Sequence, residues 1–152
     1  VQIDKLRAAY DAARKIGREL LVEIISSKHG ALSDDTAARS MQAVYAAGIK
    51  PDWWKLETQP SAEAWRQIDA TIEAHDPLCR GVVLLGLDAP AEQLIAGFAA
   101  AKAAKSVKGF AVGRTIFADA ARAWLDGRIG DDEAVAMMAQ RFAGLVAAWD
   151  GA

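Results

Sequence analysis

The sequence predicts an α/β protein with a parallel sheet, organised as about four βα units of a (β/α) barrel. Three observations predict it. Short apolar runs alternate with amphipathic helical segments along the whole chain, a pattern that is satisfied by an open doubly wound sheet or by a barrel. Polar residues of catalytic type fall in several different strands and at their C-terminal ends, where a barrel collects its site. No Gly-x-Gly-x-x-Gly follows the first strand, as a dinucleotide-binding sheet would require. The last two favour the barrel.

The elements follow in order. Asp4 to Gly17 places Leu6, Tyr10, Ala13 and Ile16 at helical spacing and ends on a glycine suited to helix termination. Leu20 to Ile25 is a short apolar strand, and Ser26-Ser27-Lys28-His29-Gly30 is a polar loop. A second helix starts near Ser33 or Asp34, whose side chains can cap it, and closes at Ala46-Ala47-Gly48. Trp53 to Glu57 forms the second strand. Pro60-Ser61-Ala62-Glu63 opens a helix with Trp65, Ile68 and Ile72 on one face, stopped by Asp76-Pro77. Gly81 to Leu87 is the third strand, leading through Asp88-Ala89-Pro90 into an alanine-rich helix. Val107 to Val112 is the fourth, leading through Gly113-Arg114 into a helix from Thr115 to Leu125, and a last helix runs from about Asp131 to Trp149.

A chain of 152 residues is long enough for one domain with a real core. A full barrel needs eight units and typically about 250 residues, so this chain supplies about half. Four barrel strands leave two open edges and an uncovered interior face. Such a piece is expected to pair with a second copy as a homo-oligomer or to be completed by the missing barrel half.

Composition narrows the function. A net charge of -2 and a pI of about 5.7 give no electrostatic footprint for nucleic acid or an acidic membrane, so any phosphate must be held locally. Cys79 is the one cysteine, which excludes an internal disulfide framework and favours a reducing cytoplasm; it reads as an inert thiol at a strand edge. No apolar run reaches membrane-spanning length and no secretory signal pattern opens the chain. His29 and His75 lie apart with no clustered carboxylates, so neither a metal site nor a cofactor is expected. His75 suits the end of its helix as a favourable charge.

Two charges stand inside apolar strands. Period-2 alternation puts Trp53, Lys55 and Glu57 on one face of their strand, and Leu21, Glu23 and Ile25 on one face of theirs. If both faces point into a barrel, a lysine and a glutamate meet in a partly desolvated interior. A desolvated lysine can attack a carbonyl as the free amine, and a neighbouring glutamate can work as acid and base in turn. A structural ion pair between neighbouring strands fits the same spacing.

The fourth strand ends in Gly113-Arg114 at the start of a helix. Glycine admits a phosphate to the backbone, the helix N-terminus offers N–H groups, and arginine adds a charged fork; an ordinary strand-to-helix turn uses the same residues. Gly86 offers either a second set of backbone donors or a close-packed bend. Lys28 and His29, on the same rim, are placed to contact an acid or phosphoryl group, or are simply solvated. Trp53 and Trp54 are expected to pack one ring to each side of the sheet.

The runs Pro-Asp-Trp-Trp-Lys55-Leu-Glu, Leu-Val-Glu23-Ile-Ile and Gly-Phe-Ala-Val-Gly113-Arg114-Thr-Ile-Phe together resemble strands six, five and eight of class I, Schiff-base-forming sugar-phosphate aldolases of the tagatose-bisphosphate type. Within that group they are similar to the aldolase-like domain fused to the sugar kinase 5-dehydro-2-deoxygluconokinase of myo-inositol catabolism. The resemblance covers nearly the whole chain and implies that residues 1–152 are the C-terminal half of a (β/α)8 TIM barrel. It implies that Lys55 is the Schiff-base lysine, Glu23 the proton-transfer acid, and Gly113 with Arg114 part of the phosphate site. The implied reaction is cleavage of a six-carbon ketose phosphate, such as 2-deoxy-5-keto-gluconate 6-phosphate, to dihydroxyacetone phosphate and a three-carbon aldehyde. No Walker-type loop or sugar-kinase glycine motif is present, so kinase activity is not assigned to this chain. A non-catalytic sugar-phosphate sensor attached to a kinase and a barrel isomerase without an imine remain the competing expectations.

Overall fold

The structure is a computed structural model that describes residues 2–87 and 89–152. Its four strands, β1 (Leu21–Ile24), β2 (Trp53–Leu56), β3 (Gly81–Leu85) and β4 (Val107–Ala111), form one parallel sheet in the sequential order β1-β2-β3-β4. Between and around them run α1 (Gln2–Lys15), α2 (Thr36–Ala46), α3 (Ala62–His75), α4 (Ala91–Ala96), α5 (Phe98–Lys102), α6 (Arg114–Leu125) and α7 (Asp131–Asp150), and a 3-10 turn, Ser27–His29, follows β1. Among the described residues, no helix is long and apolar enough to cross a membrane.

Strand order decides where the helices go. Parallel crossovers are right-handed, so a sheet that grows in one direction receives every connecting helix on the same face; a doubly wound sheet must reverse direction to cover both. There is no reversal here. Accordingly, one face is dry: Val22, Trp54, Leu56, Val82 and Leu84 join Met41 and Tyr45 of α2, Trp65 and Ile68 of α3, Leu94 of α4 and Phe98 of α5 in a single core. Trp54 is completely buried, and its indole N–H donates to the Tyr45 hydroxyl at 2.8 Å, which satisfies its polar atom. The alternate residues Glu23, Lys55, Val83, Leu85 and Ala111 face the other way and are exposed or half-buried. Helices cover one face of the sheet and leave the other open.

The differences from the expected elements are local. The alanine-rich helix is two, α4 and α5, meeting at Gly97, where a β-carbon would lie 2.7 Å from Thr58 Cγ2; close approach to the β2–α3 loop breaks the helix there. The N-cap of α2 is Asp35, and neither Ser33 nor Asp34 caps it. Ser33 bonds to Asp35 and Thr36, while Asp34 accepts from Ser61 Oγ at 2.6 Å and ties the start of α2 to that of α3. Ser61 caps α3 as its motif suggests, accepting from Ala64 N. The two tryptophans do divide, with Trp53 half-buried on the open face and its Nε1 donating to Glu19. His75 closes α3 and stacks on Tyr45. The expected turn at Asp88 lies outside the described residues.

The N-terminal rim of the sheet is fastened by Asp52. Its carboxylate accepts from Leu20 N at 2.8 Å and from both terminal nitrogens of Arg14, joining α1 to the entry of β1. Partial burial pushes this carboxyl up, but the Arg14 hydrogen bond, the Leu20 N–H and the Arg14 charge outweigh it and hold the pKa below the ordinary range. A depressed pKa stabilises the fold above the unfolded value, about 3.9, and that contribution is lost as pH falls through the folded value. Asp52→Asn is therefore expected to lower stability at pH 7, and the gap from wild type should close below about pH 4. Urea unfolding across pH 7 to 2.5 measures it; a gap independent of pH would contradict this assignment.

Candidate active site

Parallel register brings the two buried-strand charges together. Glu23 pairs with Lys55 across β1 and β2, so both side chains leave the sheet on its open face at the same height. Lys55 Nζ lies 2.9 Å from Glu23 Oε2, and the two side chains are 23% and 36% exposed. This is a half-sheltered pair within reach of solvent and ligand. Val83, the β3 partner of Lys55, continues the row with an apolar wall.

A concavity of about 680 Å³ opens over this pair at the C-terminal ends of the strands. All six sequence-predicted residues line it: Lys55 and Glu23 at the floor, Lys28 from the turn after β1, Gly86 from the end of β3, and Gly113 and Arg114 from the β4–α6 turn. Among its described lining residues, three cationic side chains stand against one carboxylate, which suits an anionic ligand. Ile25, Leu85, Ala111 and Val112 supply apolar walls. A lysine amine, a carboxylate in contact with it and a basic rim are the components of carbonyl chemistry on an anionic substrate.

The anion-binding end is built by α6. Gly113 is its N-cap and brings no side chain to the helix terminus, so the positive end of a 12-residue helix faces the concavity beside Arg114. Gly86 plays the packing part of its two expected roles. A β-carbon on it would lie 2.8 Å from Val112 Cγ1 and 3.0 Å from Thr115 Oγ1, so only glycine lets the β3 loop close against the β4–α6 turn. Thr115 Oγ1 reinforces that contact by donating to Ala89 O at 3.2 Å. Leu87, next in this loop, has a φ of 48°, a left-handed conformation uncommon for a side chain of its size, and it sits on the rim.

Two residues fall elsewhere than expected or were not singled out. Glu57 leaves the Trp53–Lys55 row just past the end of β2, is only 7% exposed, and turns its carboxylate to the loop after β1, accepting from Ser26 N at 2.7 Å and Ser27 N at 3.1 Å. Its position two residues after Lys55 was the available signal. Phe117, one turn into α6, lines the concavity and packs near Gly113. Cys79 is distant, half-buried, and its thiol is pushed up by burial, consistent with an inert role. Among the described residues, no three metal-ligating side chains gather.

Gly86→Ala is expected to destabilise the fold by about 1–3 kcal/mol, since the added methyl must displace Val112 or Thr115. Urea unfolding gives the magnitude, and amide chemical shifts of residues 112 to 115 report the displacement. Unchanged shifts would mean that the two loops do not meet at Gly86.

With the geometry in place, comparison with known proteins adds one finding. A search of curated proteins returned no match. Residues 1–152 match the profile of the family described as "Uncharacterized protein conserved in bacteria (DUF2090)". The chain belongs to the DUF2090 family.

Proposed function

We propose that this chain is the C-terminal half of a (β/α)8 barrel and carries the Schiff-base centre of a sugar-phosphate aldolase. The observation that carries the reading is the register-paired Lys55–Glu23 contact at the C-terminal end of an open sheet face, opposite a helix N-terminus whose N-cap is a glycine. The half-barrel is supported by sequential strand order, helices on one face, and outer edges of β1 and β4 with no strand beside them among the described residues. Four further βα units, or a second copy of the chain, complete the barrel and close the site.

In this mechanism the ammonium of Lys55 gives a proton to Glu23, and the free amine attacks the ketone carbon of the substrate. Glu23 returns a proton to the carbinolamine hydroxyl, which leaves as water, and an iminium forms. Glu23, again a carboxylate, takes the proton of the substrate's β-hydroxyl. The carbon–carbon bond breaks, the aldehyde departs, and the bonding electrons flow into the iminium as an enamine. Protonation of the enamine carbon and hydrolysis release dihydroxyacetone phosphate and restore Lys55. Gly113, Arg114 and the N-terminus of α6 hold the phosphate, Gly86 closes the loop beside it, and Lys28 meets the substrate from the opposite rim. The resemblance to the aldolase-like domain of 5-dehydro-2-deoxygluconokinase supports a role in cytoplasmic myo-inositol catabolism, with 2-deoxy-5-keto-gluconate 6-phosphate as the substrate type.

A direct ion pair also serves a non-catalytic sugar-phosphate sensor, which needs the charges and not the nucleophile. Trapping separates the two. Incubation with dihydroxyacetone phosphate and borohydride is expected to leave a reduced adduct on Lys55, located by peptide mass spectrometry, and Lys55→Met is expected to abolish it. Binding without an adduct would favour the sensor.

A further inference from the structure

We infer that Glu57 is a positioning residue that holds the Lys28 turn over the site; this rests on the reading of Lys28 as a substrate-binding residue. The turn Ser27–His29 is a single 3-10 turn whose N-cap, Ser26, makes no side-chain capping bond. A turn this short has little stability of its own, and its leading N–H groups need acceptors. Glu57 provides them from the residue just past β2. Its Oε2 accepts from Ser26 N at 2.7 Å and Ser27 N at 3.1 Å, across 31 and 30 residues of sequence. Charge-assisted bonds from backbone N–H groups to a buried carboxylate are among the stronger local constraints available to a loop.

The origin of the carboxylate gives the anchor its consequence. Glu57 follows β2 directly, two residues beyond Lys55, so the strand that presents the amine also fixes the turn that presents Lys28. The separation between the two lysines is thus set by one short stretch of backbone. Glu57 lines a smaller recess of about 370 Å³ with Ser27 and Thr58 rather than the main concavity, so it acts on ligand through the turn.

The test is a double-mutant cycle on ligand affinity, with fructose 1,6-bisphosphate as the probe and isothermal calorimetry as the readout. Lys28→Ala and Glu57→Ala are each expected to weaken binding about 10-fold, and the double variant to be no more than about 2-fold weaker than either single one. Glu57→Gln, which keeps a carbonyl acceptor in place, should stay within about 3-fold of wild type. Glu57→Asp keeps charge and burial but withdraws the carboxylate, and should lose affinity as alanine does; it carries the cycle if the alanine variant fails to fold. Multiplicative losses of about 100-fold in the double variant, or wild-type affinity in both Glu57→Ala and Glu57→Asp, would overturn the proposal. Absence of binding by wild type would overturn it too. Coupling between Glu57 and Lys28 with no borohydride adduct on Lys55 would leave the positioning role standing and remove the aldolase reading.

Discussion

Everything at the site depends on the register between β1 and β2. A parallel pair in which Glu23 stands opposite Lys55 sends both side chains off the same face at the same level, and a slip of one residue would turn one of them into the helical layer. There it would meet the plane of Val22, Trp54 and Leu56, where an unpaired charge costs several kcal/mol in general. The apolar residues that flank each charge thus act as the lock on its position. Packing on one face fixes the position of the charges on the other.

That lock works because the sheet is covered unequally. Sequential strand order places the helices on one side, and the core formed by Trp54, Trp65, Phe98 and Met41 holds the strands rigid from behind. The open face is left to side chains that are polar or only half-buried, and the connecting loops at the C-terminal rim add Lys28, Gly86 and Gly113 around them. The opposite rim is tied by a separate set of contacts through Asp52, Arg14 and Leu20, so the end that carries the site is free of that structural work.

The sequence made the strands and the site legible because both announce themselves locally. Short apolar runs bounded by Gly and Pro mark the strands, and a charge within such a run is conspicuous whatever the tertiary structure. Period-2 alternation was enough to put Lys55 and Glu23 each on one face of its own strand and to divide Trp53 from Trp54, while their standing opposite each other comes from the inter-strand register. Long-range contacts were not legible. Glu57 was assigned to the Lys55 row because alternation knows nothing of where a strand ends, and its bonds to Ser26 and Ser27 cross about thirty residues. Gly97 is closely approached by Thr58, and Asp34, expected to cap α2, is engaged by Ser61 at the start of α3. In each case a distant partner overrode the local signal.

The central claim is that Lys55 and Glu23 work as one unit on a bound carbonyl. Its most direct measurement is solvent deuterium exchange into the hydroxymethyl carbon of dihydroxyacetone phosphate, followed by proton NMR, since that exchange requires both an imine and a base beside it. The account predicts exchange by the wild-type protein, none with Lys55→Met, and a fall of about 100-fold or more with Glu23→Gln, which should also form the reduced adduct on Lys55 more slowly. Exchange that survives Lys55→Met, or that proceeds at the wild-type rate in Glu23→Gln, would contradict it.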